Sequence, residues 1–430
     1  MQREDVERVL ACVDEKRVVN LARRLIMIPS VGYISKPVVE DTAECASFCG
    51  EYMERFGCEI KVQEDIGKQA IGTLKGEGGG RSLMLCGHLD TSPVSKGWRV
   101  DPYGGVIEGD RIYGPGADNM KEGVAAMIAA AEALSRSGLK LRGDLVIAPV
   151  FGERVGGTGV KALLRTGIRT DYAIVPEPTG LGKIGIESTG AVDGAIHVHG
   201  VMGFLKGVNA LDKMWRLLTF MGLPSENCLV LKPTWLRSDL GAETPSFFVG
   251  ALDAGIGDKY LHEPKGSSDI CTAYFDVRPT YLDVKPTEQS VLEDLERALE
   301  KFGAEDPDFR AYLECPILGA INGIAMKTPS NAEVVQTLAE WAKYVTAEKP
   351  QIGEGSRGKP QTRGGSGDYF PRASWNYQDG GHLSRAGIVT CVYGPSGGGP
   401  NNCPNEFNSL SEIVKATKIL ALTAAEICAQ

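Results

Sequence analysis

Five histidines serve a chain of 430 residues, and one of them closes a short apolar run, Ser82-Leu-Met-Leu-Cys-Gly-His88, with Asp90 two residues on. A carboxylate so close to an imidazole can hold one ring nitrogen and leave the other for a metal ion. A second candidate, Asp118, lies in "GPGADNMKEG", whose glycines let the backbone approach something closely. As an ordinary turn residue the same aspartate would cap the alanine-rich helix that follows. Glu153 ends the run Asp144–Phe151, and Glu177 follows "AIVP". Carboxylates placed beyond the ends of several strands repel one another unless a cation offsets their charge. These residue types therefore predict a metal site. Arg154, directly after Glu153 in "VFGERVGGTG", breaks the pattern, because a guanidinium has no lone pair to donate.

The elements that must position these residues alternate. Apolar runs at Ser82–Cys86, "LRGDLVIAPVF" and "DYAIVPEPTG" read as buried strands, and "GVAAMIAAAEALSRSG" and "VKALLRTG" as helices between them. Val6–Ile28 shows apolar residues at three and four spacing up to Pro29, which predicts one long helix, and Thr42–Phe56 a second. The fold class expected is α/β, a mixed, mostly parallel sheet flanked by helices, with ligands at the strand ends. The middle of the chain changes to strand, helix, strand, helix, strand, which predicts an inserted α+β domain of ferredoxin-like pattern. The expected boundaries are 1–187 and 319–430 for the larger domain and 188–318 for the insert. "GEGSRGKPQTRGGSGDYF" is a long polar glycine-rich loop of the kind that is usually functional or disordered.

A net charge of −9 and no basic run beyond Arg23-Arg24 argue against a nucleic-acid partner. The opening residues are charged and helical in pattern, so neither a signal peptide nor a membrane anchor is expected. Eleven cysteines without a Cys-x-x-Cys pair are expected to be reduced, buried thiols in the cytoplasm.

Several separated motifs, "GHLDTSP", "DPYGG" through "GPGADNMKEG", "GERVGGTG", "VPEPTG", "FDVRP" and "YGPSGGGPNNCPNEF", resemble in order and spacing the two-domain metallo-amidohydrolases. That family includes aminoacylase, acetylornithine deacetylase, succinyl-diaminopimelate desuccinylase and a glutamate-releasing carboxypeptidase. The resemblance implies two zinc or manganese ions bridged by an aspartate. Asp118 matches the bridge, His88 and Glu177 the other ligands of one ion, Asp90 the carboxylate that orients the histidine, and Glu153 the catalytic glutamate. The two remaining ligand positions hold Arg154 and Asn402. The resemblance thus implies one divalent ion, Mn²⁺ or Zn²⁺, held by His88, Asp118 and Glu177, with Arg154 in place of the second. A register slip that makes Glu153 a ligand, a two-ion site using His382 or Cys403, and a relative without catalysis stay open.

A family Gly-x-x-x-His stretch, whose histidine stabilises the oxyanion, corresponds to Gly200–Phe204, so that histidine is absent here and His199 is an alternative donor. Losing one such donor typically costs ~3 kcal/mol of transition-state stabilisation. These departures are similar to the nitroanthranilate aminohydrolase branch, in which water replaces an aromatic amino group. That resemblance implies a small aromatic amino-carboxylate substrate, with Arg154 beside the reacting centre. Candidate contacts are Phe204, Asn209, Arg278, Arg363 or Arg357, Ser366, Asp368 and Asn402, against core packing for Phe204, a helix cap for Asn209, a surface ion pair for Arg278, a solvated polar loop for the next four and a turn cap for Asn402. The products would be nitrosalicylate and ammonia. Hydrolysis of N-acyl amino acids or small peptides is the competing expectation, and a non-catalytic ligand-binding protein the third. The family resemblance also implies a homodimer or higher homo-oligomer.

Overall fold

The computed structural model describes residues 1–32, 42–64, 67–204, 206–223, 230–231, 233–239, 245–257, 259–262, 266–280, 285–315, 323–354, 377–399 and 401–429. Two compact units divide the chain, one made of Met1–Ser188 and Met326–Gln430, the other of Thr189–Ala325.

The first unit opens with α1 (Arg3–Ala11), α2 (Glu15–Met27), α3 (Ala43–Glu54), β1 (Glu59–Gln63), β2 (Gln69–Leu74) and β3 (Leu83–His88). It continues with β4 (Val106–Glu108), β5 (Arg111–Tyr113), α4 (Lys121–Ser137), β6 (Leu145–Val150), α5 (Thr158–Arg165), β7 (Tyr172–Val175) and β8 (Lys183–Ser188). The second unit holds β9 (Gly190–His199), α6 (Ala210–Met221), β10 (Val230–Leu231), β11 (Ser246–Gly255), β12 (Ile270–Thr280), α7 (Glu288–Glu305) and β13 (Arg310–Glu314). The chain then returns through β14 (Met326–Lys327), α8 (Glu333–Thr346), β15 (Gln351–Glu354), α9 (Gly380–Arg385), β16 (Val389–Val392), β17 (Phe407–Ser409) and α10 (Leu410–Ala429).

The large sheet of the first unit runs β1-β2-β6-β3-β7-β16-β8-β14, with β15 also on β8. Its centre is parallel: β3 pairs with β6 and β7, and β16 with β7. Central strands buried on both faces need apolar residues at every position, and every residue of β3, β6 and β7 is buried. The main core packs α2, α4, α8 and α10 against this sheet. In the second unit a five-stranded sheet, β10-β11-β12-β9-β13, carries its own core with α6 and α7. The α/β class and the smaller β-rich inserted domain agree with the sequence reading.

Two local expectations change. The single helix over Val6–Ile28 is two, because Asp14 accepts the main-chain N–H groups of Lys16 and Arg17 and starts α2 afresh. The strand expected over Ser82–Cys86 runs on to His88, whose backbone is paired with Val150 in β6.

Candidate functional site

Three of the central parallel strands, β3, β6 and β7, each deliver one polar group to the same edge of the sheet. His88 is the last residue of β3, Glu153 starts a short 3₁₀ turn just past β6, and Glu177 lies just past β7. The turn that precedes α4 carries Asp118 and Asn119. Crevices outside the carboxyl ends of parallel strands are where such sheets bind ligands.

The His88 ring is buried, and its Nδ1 lies 2.8 Å from the main-chain carbonyl of Asp90. A carbonyl only accepts, so Nδ1 carries the proton and Nε2 is the nitrogen left to bind something else. The Asp90 carboxylate is 3.6 Å from Nδ1 and works elsewhere. It accepts the backbone N–H groups of Glu153 at 3.3 Å and Arg154 at 3.0 Å. Asp90 thus orients the histidine through its backbone and braces the Glu153 turn with its side chain.

Three oxygens face Nε2: Asn119 Oδ1 at 2.9 Å, Glu177 Oε1 at 3.4 Å and Glu153 Oε2 at 3.9 Å. A nitrogen lone pair aimed at oxygens is repulsive unless a proton or a metal ion sits between. Burial alone would pull the His88 pKa down, but Glu177, Glu153 and Asp90 push it well above the usual histidine value. Two donors each bound at roughly 2.0–2.2 Å to one tetrahedral ion stand ~3.4 Å apart, so the spacing of His88 Nε2 and Glu177 Oε1 suits ligands of a shared ion.

Asp118 was expected beside His88, and Asn119 stands there instead. The Asp118 carboxylate accepts from Ser396 Oγ at 3.0 Å. Glu406 sets this register: its Oε1 accepts the backbone N–H groups of both Asp118, at 2.8 Å, and Asn119, at 2.9 Å, so neighbouring side chains leave the turn in different directions. Among the described residues, no three His, Cys, Asp or Glu side chains are grouped to hold an ion. The third oxygen at His88 belongs to an amide, which still has a lone pair to give.

Arg154 lies close enough to Glu153 for its charge to act on that carboxylate, but its hydrogen bond goes elsewhere. Its Nη1 donates to Asn402 Oδ1 at 3.3 Å, and the same oxygen accepts from Ser92 Oγ at 2.7 Å. The arginine Nε is buried and unpartnered. The two positions that the family pattern assigns to a second ion are therefore bonded to each other.

Burial raises the Glu153 carboxyl to about 7; His88 and Arg154 oppose the shift, while Glu177 and Asp90 add to it. Asp118 also rises to about 7, through burial first and then Glu406 and Glu177, with Ser396 holding it back. Asp379, unremarked in the sequence, precedes α9 with both carboxylate oxygens buried and unpartnered. Burial pushes its pKa well above the usual value, and Glu153, Asp90 and Glu177 add to this. Only its place, between a polar loop and a Gly-Gly helix start, could have flagged it.

His382 packs against Gly157, just past the Glu153 turn. Its Nε2 is 3.4 Å from the Tyr377 hydroxyl, and burial lowers its pKa to about 4. Gly157, at φ +70°, leaves the space this ring fills, since a Cβ there would come within 2.5 Å of it. Cys403 is exposed and lines a small cleft with Asn402.

Phe204, Asn209, Arg278 and His199 belong to the second unit. Phe204 is 73% exposed. Asn209 caps α6 by accepting from the N–H groups of Leu211 and Asp212. Arg278 pairs with Asp276 at 2.7 Å, and His199 stacks on Tyr312. Arg357, Arg363, Ser366 and Asp368 lie outside the described residues.

A profile described as peptidase family M20/M25/M40 matches residues 84–426. The chain belongs to this family. It is similar to N-formyl-4-amino-5-aminomethyl-2-methylpyrimidine deformylase of Halalkalibacterium halodurans, at 24% identity over 98% of this chain and 97% of that one. Acetylornithine deacetylase of Aliivibrio fischeri is 30% identical over 65% of this chain and 72% of its own length. Among solved structures, the dipeptidase Dug1p of Saccharomyces cerevisiae superposes with a TM-score of 0.75 at 13% identity, covering 99% of both chains. The YXEP protein of Bacillus subtilis, described as a dinuclear metal-binding peptidase, gives 0.62 at 14% identity over 96% of this chain and 98% of its own. The chain is thus a metal-dependent hydrolase of C–N bonds in small carboxylate substrates. Nothing in these likenesses supports the nitroanthranilate branch. No helix among the described residues is long and apolar enough to cross a membrane.

Proposed function

We propose that this chain hydrolyses the amide C–N bond of a small N-acyl carboxylate, using one divalent ion, Mn²⁺ or Zn²⁺. The observation that carries the reading is the ring of Asn119, Glu177 and Glu153 oxygens around His88 Nε2, with Arg154 and Asn402 engaged to each other. Support for the amide comes from a deformylase that matches nearly the whole chain and from the deacetylases.

His88 Nε2, Glu177 Oε1 and Asn119 Oδ1 would hold the ion. When bound, such an ion polarises the scissile carbonyl and makes a neighbouring water more acidic. Glu153 takes a proton from that water through Oε2 and returns it to the leaving nitrogen. Its carboxyl, raised to about 7 by burial, is matched to that exchange near neutral pH. Asp90 keeps Glu153 in place through the backbone, and its carbonyl keeps His88 in the tautomer that presents Nε2. The absence of hydrogen-bonding capacity at Phe204 and the loss of the second-ion positions favour a second reading, removal of an aromatic amino group from a nitroanthranilate. Charge then spreads into the ring and its nitro group, and an oxyanion donor matters less.

A panel of N-formyl and N-acetyl amino acids, dipeptides and nitroanthranilate, assayed with Mn²⁺- and Zn²⁺-loaded protein, decides between them. Amide cleavage without ammonia release from nitroanthranilate is expected. Ammonia release alone would install the second reading, and inactivity on the whole panel would overturn both. Two equivalents of metal per chain would refute the single ion.

A further inference from the structure

We infer that Arg154 is the residue that binds the substrate's carboxylate and so selects for it. This deepens the hydrolase reading and rests on it. Among the described residues no carboxylate lies within 4.0 Å of this guanidinium, although Glu153 is its neighbour in sequence and Asp90 holds its backbone nitrogen. Its visible partner is a neutral amide at 3.3 Å, an oxygen already occupied by Ser92 at 2.7 Å. Its Nε is cut off from water without a partner. A guanidinium that faces Glu153 only through space, hydrogen-bonds only an amide among the described residues and has a dry, unpartnered Nε is incompletely satisfied, and an incoming carboxylate supplies the missing acceptors.

The position suits a substrate. Asn402 and Ser92, which flank the guanidinium, also line a small cleft with Ser95, Trp98, Pro115 and Cys403. Arg154 follows Glu153 on the same 3₁₀ turn and its charge acts on the Glu153 carboxylate, so an anion held there lies near the reacting bond. The planar fork of arginine matches the two oxygens of a carboxylate, a geometry lysine lacks. The chemical class is therefore a carboxylate close to the scissile nitrogen, as in an N-acyl α-amino acid or an ortho-amino benzoate.

The test uses full-length, metal-loaded protein on a Glu153→Gln background, which keeps bound ligands intact during calorimetry. The probes are N-acetylglycine against N-acetylglycinamide, and anthranilate against anthranilamide. In at least one pair the carboxylate binds tenfold or more tighter than its amide. Arg154→Met abolishes that preference, Arg154→Lys restores part of it, and metal content stays unchanged in both. The turn survives these changes because Asp90 holds the backbone nitrogen of Arg154, not its side chain. Absence of a carboxylate preference in both pairs, or its persistence in Arg154→Met, overturns the assignment. Carboxylate binding through Arg154 without turnover of any panel substrate in the Glu153 enzyme would instead sink the hydrolase reading and leave this one standing.

Discussion

Glu406 lies 2% exposed and ties together segments remote in sequence, accepting main-chain N–H groups from Asp118 and Asn119 and, further, from Gly116 and Asn402. Burial raises its carboxyl from 4.5 to about 7, against the pull of those four N–H groups. A folded-state pKa above the unfolded one means that the folded protein keeps a proton the unfolded chain has released. Stability is therefore fullest below about 4.5 and falls as pH rises to about 7. The whole shift corresponds to about 3 kcal/mol, most of it lost between pH 5 and 8. Glu406→Gln imitates the protonated form and has nothing to titrate. Calorimetry of metal-free protein should find the variant gaining on wild type across that range by on the order of 5 °C in melting temperature. Parallel melting curves for the two proteins from pH 5 to 8 would refute the reasoning.

Three further outcomes can be checked. Glu153→Gln should lower kcat by roughly 10²–10⁴-fold with metal content intact, the usual worth of a positioned acid-base group, and retained turnover would deny it that role. Asn119→Ala should weaken Zn²⁺ binding by roughly 10–100-fold while Asp118→Asn changes it little. The reverse ordering in a competitive chelator titration would return the ligand role to Asp118. Gly157→Ala combines a φ of +70° with a Cβ within 2.5 Å of the His382 ring, and should cost about 1–3 kcal/mol in urea unfolding. An unchanged midpoint would mean that the Glu153 turn is free to shift.

The fold class was legible because the buried parallel strands are short, wholly apolar runs, "LMLCGH", "LVIAPV" and "YAIV", which no surface strand could use. His88 and Glu177 could be singled out for the same reason, since a polar residue at the end of such a run has nowhere to go but the sheet edge. Which residue of the Asp118-Asn119 pair faces His88 was not legible. That choice is made by Glu406, 288 residues from Asp118 in sequence, and no local pattern carries it. The break between α1 and α2 was missed for a related reason: the apolar spacing continues through it, and only the Asp14 cap interrupts the backbone. Asp379 was invisible because an isolated aspartate after a polar loop reads as solvated, whereas packing leaves both its oxygens dry.

The electrostatics of the first unit point one way. Asp90, Asp118, Glu153, Glu177, Asp379 and Glu406 are all mostly or wholly buried around this edge of the sheet. Some are neutralised by other means: Asp90 and Glu406 by backbone N–H groups, Asp118 in part by Ser396. Glu153, Glu177 and Asp379 have no comparable set of donors; Arg154 acts on Glu153 and Lys161 on Asp379 only through space, and the Arg154 hydrogen bond goes to Asn402. Three carboxylates against one imidazole leave an excess of negative charge that protonation can relieve only at the expense of the base the reaction needs. The divalent ion proposed at His88 would relieve it while leaving Glu153 ionised. Arg154 stands where the family pattern has a ligand of a second ion, and a guanidinium has no lone pair to give one. On the proposed reading, one ion at His88 would answer these acids, and the Arg154 guanidinium, hydrogen-bonded to an amide, would be the positive group that meets an anionic substrate.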